Sequence, residues 1–120
     1  MEAVPLQVSL TVTPERVTED ELGGLTVRVS VANEGAEPVD LQLPASRLTV
    51  DGRPLQAWNL AIGNGARDAR ESALPPGDSV EAARVLGASL VREPGDHEVA
   101  IEVLGVRSAP VRLRVEPAGR

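Results

Sequence analysis

The sequence predicts an all-β fold, an antiparallel β-sandwich of seven to eight short strands forming one domain over residues 1–120. Three observations carry this. Apolar and polar residues alternate in run after run, the period of a half-buried strand, whose successive side chains point to opposite faces. Gly, Pro, Asn and Asp punctuate the gaps between the runs. The helices that an α/β enzyme would interleave with its strands are missing. Closure of the same strands into a barrel is the alternative architecture.

The centre of the sheet is expected in residues 25–50. Leu25, Val27, Val29 and Val31 alternate with Thr26, Arg28, Ser30 and Ala32. Asn33-Glu34-Gly35 breaks the run, and after Pro38 a second alternation of Val39, Leu41 and Leu43 reads as the partner strand. Before them, Leu6, Val8, Leu10 and Val12 form a first strand that Pro14 ends, since proline cannot donate to a ladder. Residues 15–24 read as a polar connection. Its Glu19-Asp20-Glu21 run lacks the alternating oxygens and tight Gly turn of a calcium loop, and is expected to be solvated.

Leu48 and Val50 lead into Asp51-Gly52, a strong hairpin signal because a type I′ turn needs positive φ at both central positions. Pro54 marks the return as an edge strand or an irregular one. Trp58, Leu60 and Ile62 carry strand spacing, with Trp58 a core or rim anchor. Residues 61–77 are the one long stretch with no strand pattern, admitting at most one helical turn over 67–73. Two Pro-Gly-Asp units, Pro76-Gly77-Asp78 and Pro94-Gly95-Asp96, are turn chemistry that introduces the strands around Val80–Ala82 and Val99–Val103. Pro110 opens a last strand with Val111, Leu113 and Val115. Residues 1–5 and 117–120 are expected to be flexible ends.

The composition excludes several functions. One Trp is the only aromatic residue, so stacking platforms for single-stranded nucleic acid or sugars are not available. The net charge of −6, from 18 acidic against 12 basic side chains, repels a phosphate backbone, and nucleic acid is not an expected partner. No cysteine is present, which removes disulfides and thiolate metal sites. No apolar run approaches the roughly 20 residues needed to cross a bilayer, so membrane insertion is not expected. If Met1 is the native start the protein is expected in the cytoplasm; otherwise it belongs to the periplasm or outside, with a signal removed.

Chemistry-bearing constellations are equally sparse. His97 is the only histidine, and a lone histidine makes neither a zinc site nor, without a nucleophile elbow around Ser72, Ser79 or Ser89, a catalytic pair. It reads as a structural residue that hydrogen-bonds backbone at a strand corner. Glu98 and Glu102 share the solvent face of their strand. Gly63-Asn64-Gly65 lacks the Lys and Ser/Thr of a phosphate loop. No cofactor is expected. The stretch 61–77, with Arg67, Asp68, Arg70 and Glu71, is the expected binding surface, and Trp58 a secondary candidate for ligand contact.

Three turn motifs carry a resemblance. Residues 31–41, V-A-N-E-G-A-E-P-V-D-L, are similar to the Asn-x-Gly turn that joins the second and third strands of bacterial immunoglobulin-like and fibronectin-III-like modules. Leu74-Pro75-Pro76-Gly77-Asp78 resembles their entry into the fifth strand, and residues 94–103 the turn into the sixth, with His97 where an aromatic residue commonly stands. The layout is shared by cell-adhesion-related modules and by bacterial intracellular proteinase inhibitors. It implies an immunoglobulin-like sandwich and a non-catalytic module that binds a protein partner. The alternative it implies is an inhibitor presenting residues 61–77 to a serine protease, with Arg67 or Arg70 as bait. The strand at 111–115, charged on one face only, suggests edge pairing into a homodimer.

Overall fold

The computed structural model describes residues 5–65 and 68–118. Strands predominate, nine of them, with one α-helix and short 3-10 turns. In chain order they are β1 (Leu6–Thr13), β2 (Arg16–Thr18), β3 (Thr26–Asn33), β4 (Arg47–Val50), β5 (Arg53–Pro54), α1 (Gln56–Gly63), β6 (Ser79–Val85), β7 (Gly95–Val103), β8 (Val106–Arg107) and β9 (Val111–Glu116). They form two separate sheets, β1-β3-β6 and β2-β9-β7-β4-β5, with β8 attached to β7, so the described strands do not close into a barrel. All pairings are antiparallel except β2 with β9.

The inner faces of the two sheets meet in one apolar core, built almost wholly of Val, Leu and Ile. The alternation in β1 is faithful, with Leu6, Val8, Leu10 and Val12 buried and Gln7, Ser9, Thr11 and Thr13 exposed. Facing residues come from Leu48, Val99, Ile101, Val103, Leu113 and Val115. At about 25 cal/mol per Å2, each such side chain contributes roughly 1.5–3 kcal/mol, which lets an aliphatic core serve in place of aromatic residues.

Four expectations need correction. Residues 56–63 are helix, not strand: Trp58 and Ile62 are buried four residues apart while Leu60 is 67% exposed, a helical period that the two-residue spacing obscured. The alternation at Val39, Leu41 and Leu43 is real in burial but builds no strand. Val39 makes an isolated bridge with Leu74, Leu41 N–H donates to the Glu71 carbonyl, and Gln42 turns at φ +50 into a 3-10 turn. Residues 15–24 are not merely a loop, because Val17 enters the core and Arg16–Thr18 pair with Arg114–Glu116. That pairing also means that β9 is flanked by β2 and β7 instead of forming an open edge. Of the expected flexible ends, residues 1–4 and 119–120 lie outside the described residues. Pro5 O accepts from Glu34 N–H, and Ala118 N–H donates to the Glu19 carboxylate.

Asn33 is the junction of the fold's turns, buried to 1% exposure. Its side-chain amide donates to the Glu37 and Leu74 carbonyls at 2.8 Å each, and its side-chain oxygen accepts from Gly35 N–H at 2.9 Å. Its main chain bonds Asp78 O and Gly77 N–H. Gly77, at φ +81, supplies the left-handed position of a type II turn closed by Asp78 N–H to Pro75 O.

Candidate functional site

An open groove of about 720 Å3 lies between the β4–β5 hairpin and residues 88–93. Its walls include Val50, Leu55 and Val91, with Asp51, Arg53, Arg92, Glu93, Ser89 and His97 as the polar groups. The hairpin forms as its sequence dictates: Asp51 at φ +52 and Gly52 at φ +82 make the type I′ turn, and Thr49 and Val50 pair with Pro54 and Arg53.

Asp51 also extends the ladder toward β7. Its N–H donates to Glu98 O, and its carboxylate accepts Glu98 N–H at 2.8 Å and the His97 Nδ1 proton at 2.7 Å. The other ring nitrogen, Nε2, lies 2.7 Å from the Glu93 carbonyl. Both partners are acceptors only, so the arrangement favours the imidazolium form, in which both ring nitrogens donate. The ring thus pins the hairpin, the 93–95 turn and β7 together.

Burial disfavours the charged ring, but the hydrogen bonds to Asp51 and Glu93 and the Asp51 charge outweigh it and hold the His97 pKa above the ordinary 6.5. The Glu98 N–H, then the His97 bond, hold Asp51 below its ordinary 3.8. The raised histidine contributes stability that is complete below pH 6.5 and fades as pH rises through its folded value. The depressed aspartate contributes above pH 3.8 and fades as pH falls through its folded value. Urea unfolding is therefore expected to show the wild type more stable at pH 5.5 than at pH 8, by on the order of 1 kcal/mol or less for so exposed a partner. In His97→Gln this increment should be absent; a difference as large as that of the wild type would mean that other groups cause it.

With both nitrogens occupied, His97 has no free lone pair for proton abstraction, and no hydrogen bond joins it to Ser89. Asp51 is matched by His97. Arg53 and Arg92, both exposed, make no ion pair or hydrogen bond with another described residue, Arg53 reaching Asp51 only through its longer-range charge. Two guanidiniums thus face the groove against the single carboxylate of Glu93. Sequence reasoning missed both arginines. The available signal was their position, each beside a turn, Asp51-Gly52 and Pro94-Gly95.

The stretch 61–77 is anchored in the fold at Ile62, Glu71 and Leu74, and most of its other described residues are exposed. Arg67 lies outside the described residues. Asp68 caps the 3-10 turn Ala69–Ser72 by accepting Arg70 N–H. The Arg70 guanidinium is held by Asp68 at 2.8 Å and by Asp78 at 3.5 Å. The Arg70 side chain is the main reason that the Asp68 pKa falls to about 2. Glu71 is 8% exposed and Leu74 fully buried. Trp58 is fully buried, and its indole N–H donates to Ser46 Oγ at 2.8 Å, so this candidate for ligand contact is a core residue. Among the described residues no group of three or more metal-ligating side chains converges, and no helix is long and apolar enough to cross a membrane.

No protein-family model and no curated protein matches the chain. Among solved structures it is similar to part of the alkylpurine DNA glycosylase AlkC of Pseudomonas fluorescens, bound there to DNA containing an abasic-site analogue. The TM-score is 0.57 at 16% identity, over 94% of this chain and 31% of the glycosylase. The chain thus spans about a third of that protein, and at this identity the likeness concerns the fold alone. Structures of β-glucosidase from Listeria innocua with glucose and with isofagomine are similar at a TM-score of 0.47 and 16% identity, over 92% and 94% of this chain and 16% of the enzyme.

Proposed function

We propose that the protein is an immunoglobulin-like β-sandwich acting as a non-catalytic binding module. The strand order supports the topology. Sheet β1-β3-β6 corresponds to strands A, B and E, and β9-β7-β4-β5 to G, F, C and C′, with β2 as the continuation of strand A beside G. Helix α1 and the turn after it take the place of strand D.

More particularly, the groove at the β4–β5 hairpin receives a carboxylate-bearing segment of a partner protein. The observation that carries this reading is the pair of arginines outside any ion pair, Arg53 and Arg92, beside a histidine whose nitrogens are both engaged. Guanidinium forks match carboxylates bidentately. A DNA-facing role, suggested by the glycosylase's bound DNA, has the charge against it. The net charge is −6, and Arg28, Arg70 and Arg114 are each paired with acidic side chains. The inhibitor reading draws less support, because Arg70 is tied on both sides by carboxylates.

A display selection of random peptides on the wild-type protein is expected to enrich sequences rich in Asp and Glu. The Arg53→Glu/Arg92→Glu double variant, exposed at both positions and folded, should lose them at least tenfold. Equal enrichment on both proteins, or no acidic preference, would overturn this reading.

A further inference from the structure

Sheet edges expose unpaired backbone groups, and folded proteins guard them with shortness, charge, proline or cover. Three of the four edges here are guarded. β2 has three residues, and β5 has two, one of them Pro54. On β6, Glu81 places a charge on the edge strand, Arg84 Nη1 bonds the Ala83 carbonyl, and Arg84 Nε bonds Ala61 O at the end of α1.

β1 has none of these devices. It runs eight residues without proline, charge or bulge, and β3 is its only strand partner. The bond from Glu34 N–H to Pro5 O sets the phase of the ladder. Odd residues of β1 exchange hydrogen bonds with β3, so the N–H and C=O groups of the even residues point away from it; Leu6, Val8 and Leu10 keep some exposure at that edge, while Val12 is covered at 1% exposure. The exposed face of the strand carries only Gln7, Ser9, Thr11 and Thr13. In a chain of net charge −6 this is the strand along which a second copy meets no like charge.

We propose that two copies of the chain pair antiparallel along β1, about a two-fold axis at Ser9, into one continuous sheet β6-β3-β1-β1-β3-β6. The register follows from the edge-facing groups. Val8 exchanges bonds with Leu10 of the second copy, and Leu10 with its Val8, which sets Ser9 opposite Ser9 and Gln7 opposite Thr11. All cross-strand pairs on the open face are then small and uncharged, and each is self-complementary as a two-fold contact requires.

The test uses the full chain. In sedimentation equilibrium the wild-type mass is expected to rise with concentration from 12.6 kDa toward a dimer. Ser9→Glu, which sets two carboxylates face to face at an exposed position, should weaken the dimer about tenfold or more. Mixing Ser9→Glu with Ser9→Lys should restore it. Because the chain has no cysteine, Ser9→Cys gives a clean second readout. The two sulfurs would meet at a non-hydrogen-bonded pair about 4.5 Å apart in Cα, so oxidation should link the copies rapidly, while Ser79→Cys, on the guarded edge, should remain uncrosslinked. A wild type that remains monomeric and a Ser9→Cys variant no faster to crosslink than Ser79→Cys would overturn the proposal. So would a dimer indifferent to Ser9→Glu.

Discussion

Asn33→Ala is expected to lower stability by about 3 kcal/mol, measured as the drop in the urea unfolding midpoint. The substitution takes one of its two donors from the buried Leu74 carbonyl, which keeps the Val39 N–H, and removes the bonds to Glu37 O and Gly35 N–H from a residue 1% exposed. Three lost hydrogen bonds at about 1 kcal/mol each account for the size of the effect. Asn33→Asp is the sharper variant, since it keeps the shape and the acceptor for Gly35 but turns a carboxylate toward two carbonyls. It should be as damaging as alanine at neutral pH and recover part of the loss at pH 4, where a protonated carboxyl can donate once. An Asn33→Asp protein as stable as wild type at pH 7 would mean that the junction is not what holds the turns.

The second large effect is expected at Trp58. Trp58→Ala should cost about 3–5 kcal/mol, the range for emptying a fully buried aromatic site. Trp58→Phe keeps most of the apolar volume but leaves the buried Ser46 hydroxyl without the indole donor, and about 1–2 kcal/mol is expected. As the only aromatic residue, Trp58 also reports on itself: its fluorescence should be blue-shifted in the folded state and unmoved by acidic peptides. A shift on peptide addition, together with a mild Trp58→Ala, would return this residue to the ligand-contact role that its burial argues against.

Much of the fold is legible in the sequence where one physical rule acts alone. The β1 and β3 alternation, the Asp51-Gly52 turn and the Pro76-Gly77 turn each follow from a local requirement of pleat or φ, and each stands where the residues place it. Legibility ends where two periods fit the same residues. Trp58, Leu60 and Ile62 satisfy a strand on spacing alone, while burial of the first and last selects the helix. Val39, Leu41 and Leu43 show that alternating burial does not by itself create a ladder, because the hydrogen bonds go to Glu71 and Leu74.

The candidate site was less legible, for a related reason. His97 was recognisable as a structural histidine, and its bond to the Glu93 carbonyl fits that reading. Its second partner, Asp51, is 46 residues away and joins it only through the register of β4 on β7. The stretch 61–77 attracted attention as a long polar segment, yet Leu74 and Glu71 anchor it and Arg70 is paired. Arg53 and Arg92 gain significance only from what does not reach them, and composition cannot show that.

The most direct measurement is a 15N–1H NMR titration of the full chain with an acidic peptide and its amide-for-acid counterpart, Glu and Asp replaced by Gln and Asn. The account predicts that the acidic peptide moves the amide signals of residues 51–53, 55, 88–93 and 97, and that the neutral one does not. Shifts centred on residues 68–72, or equal shifts from both peptides, would contradict it.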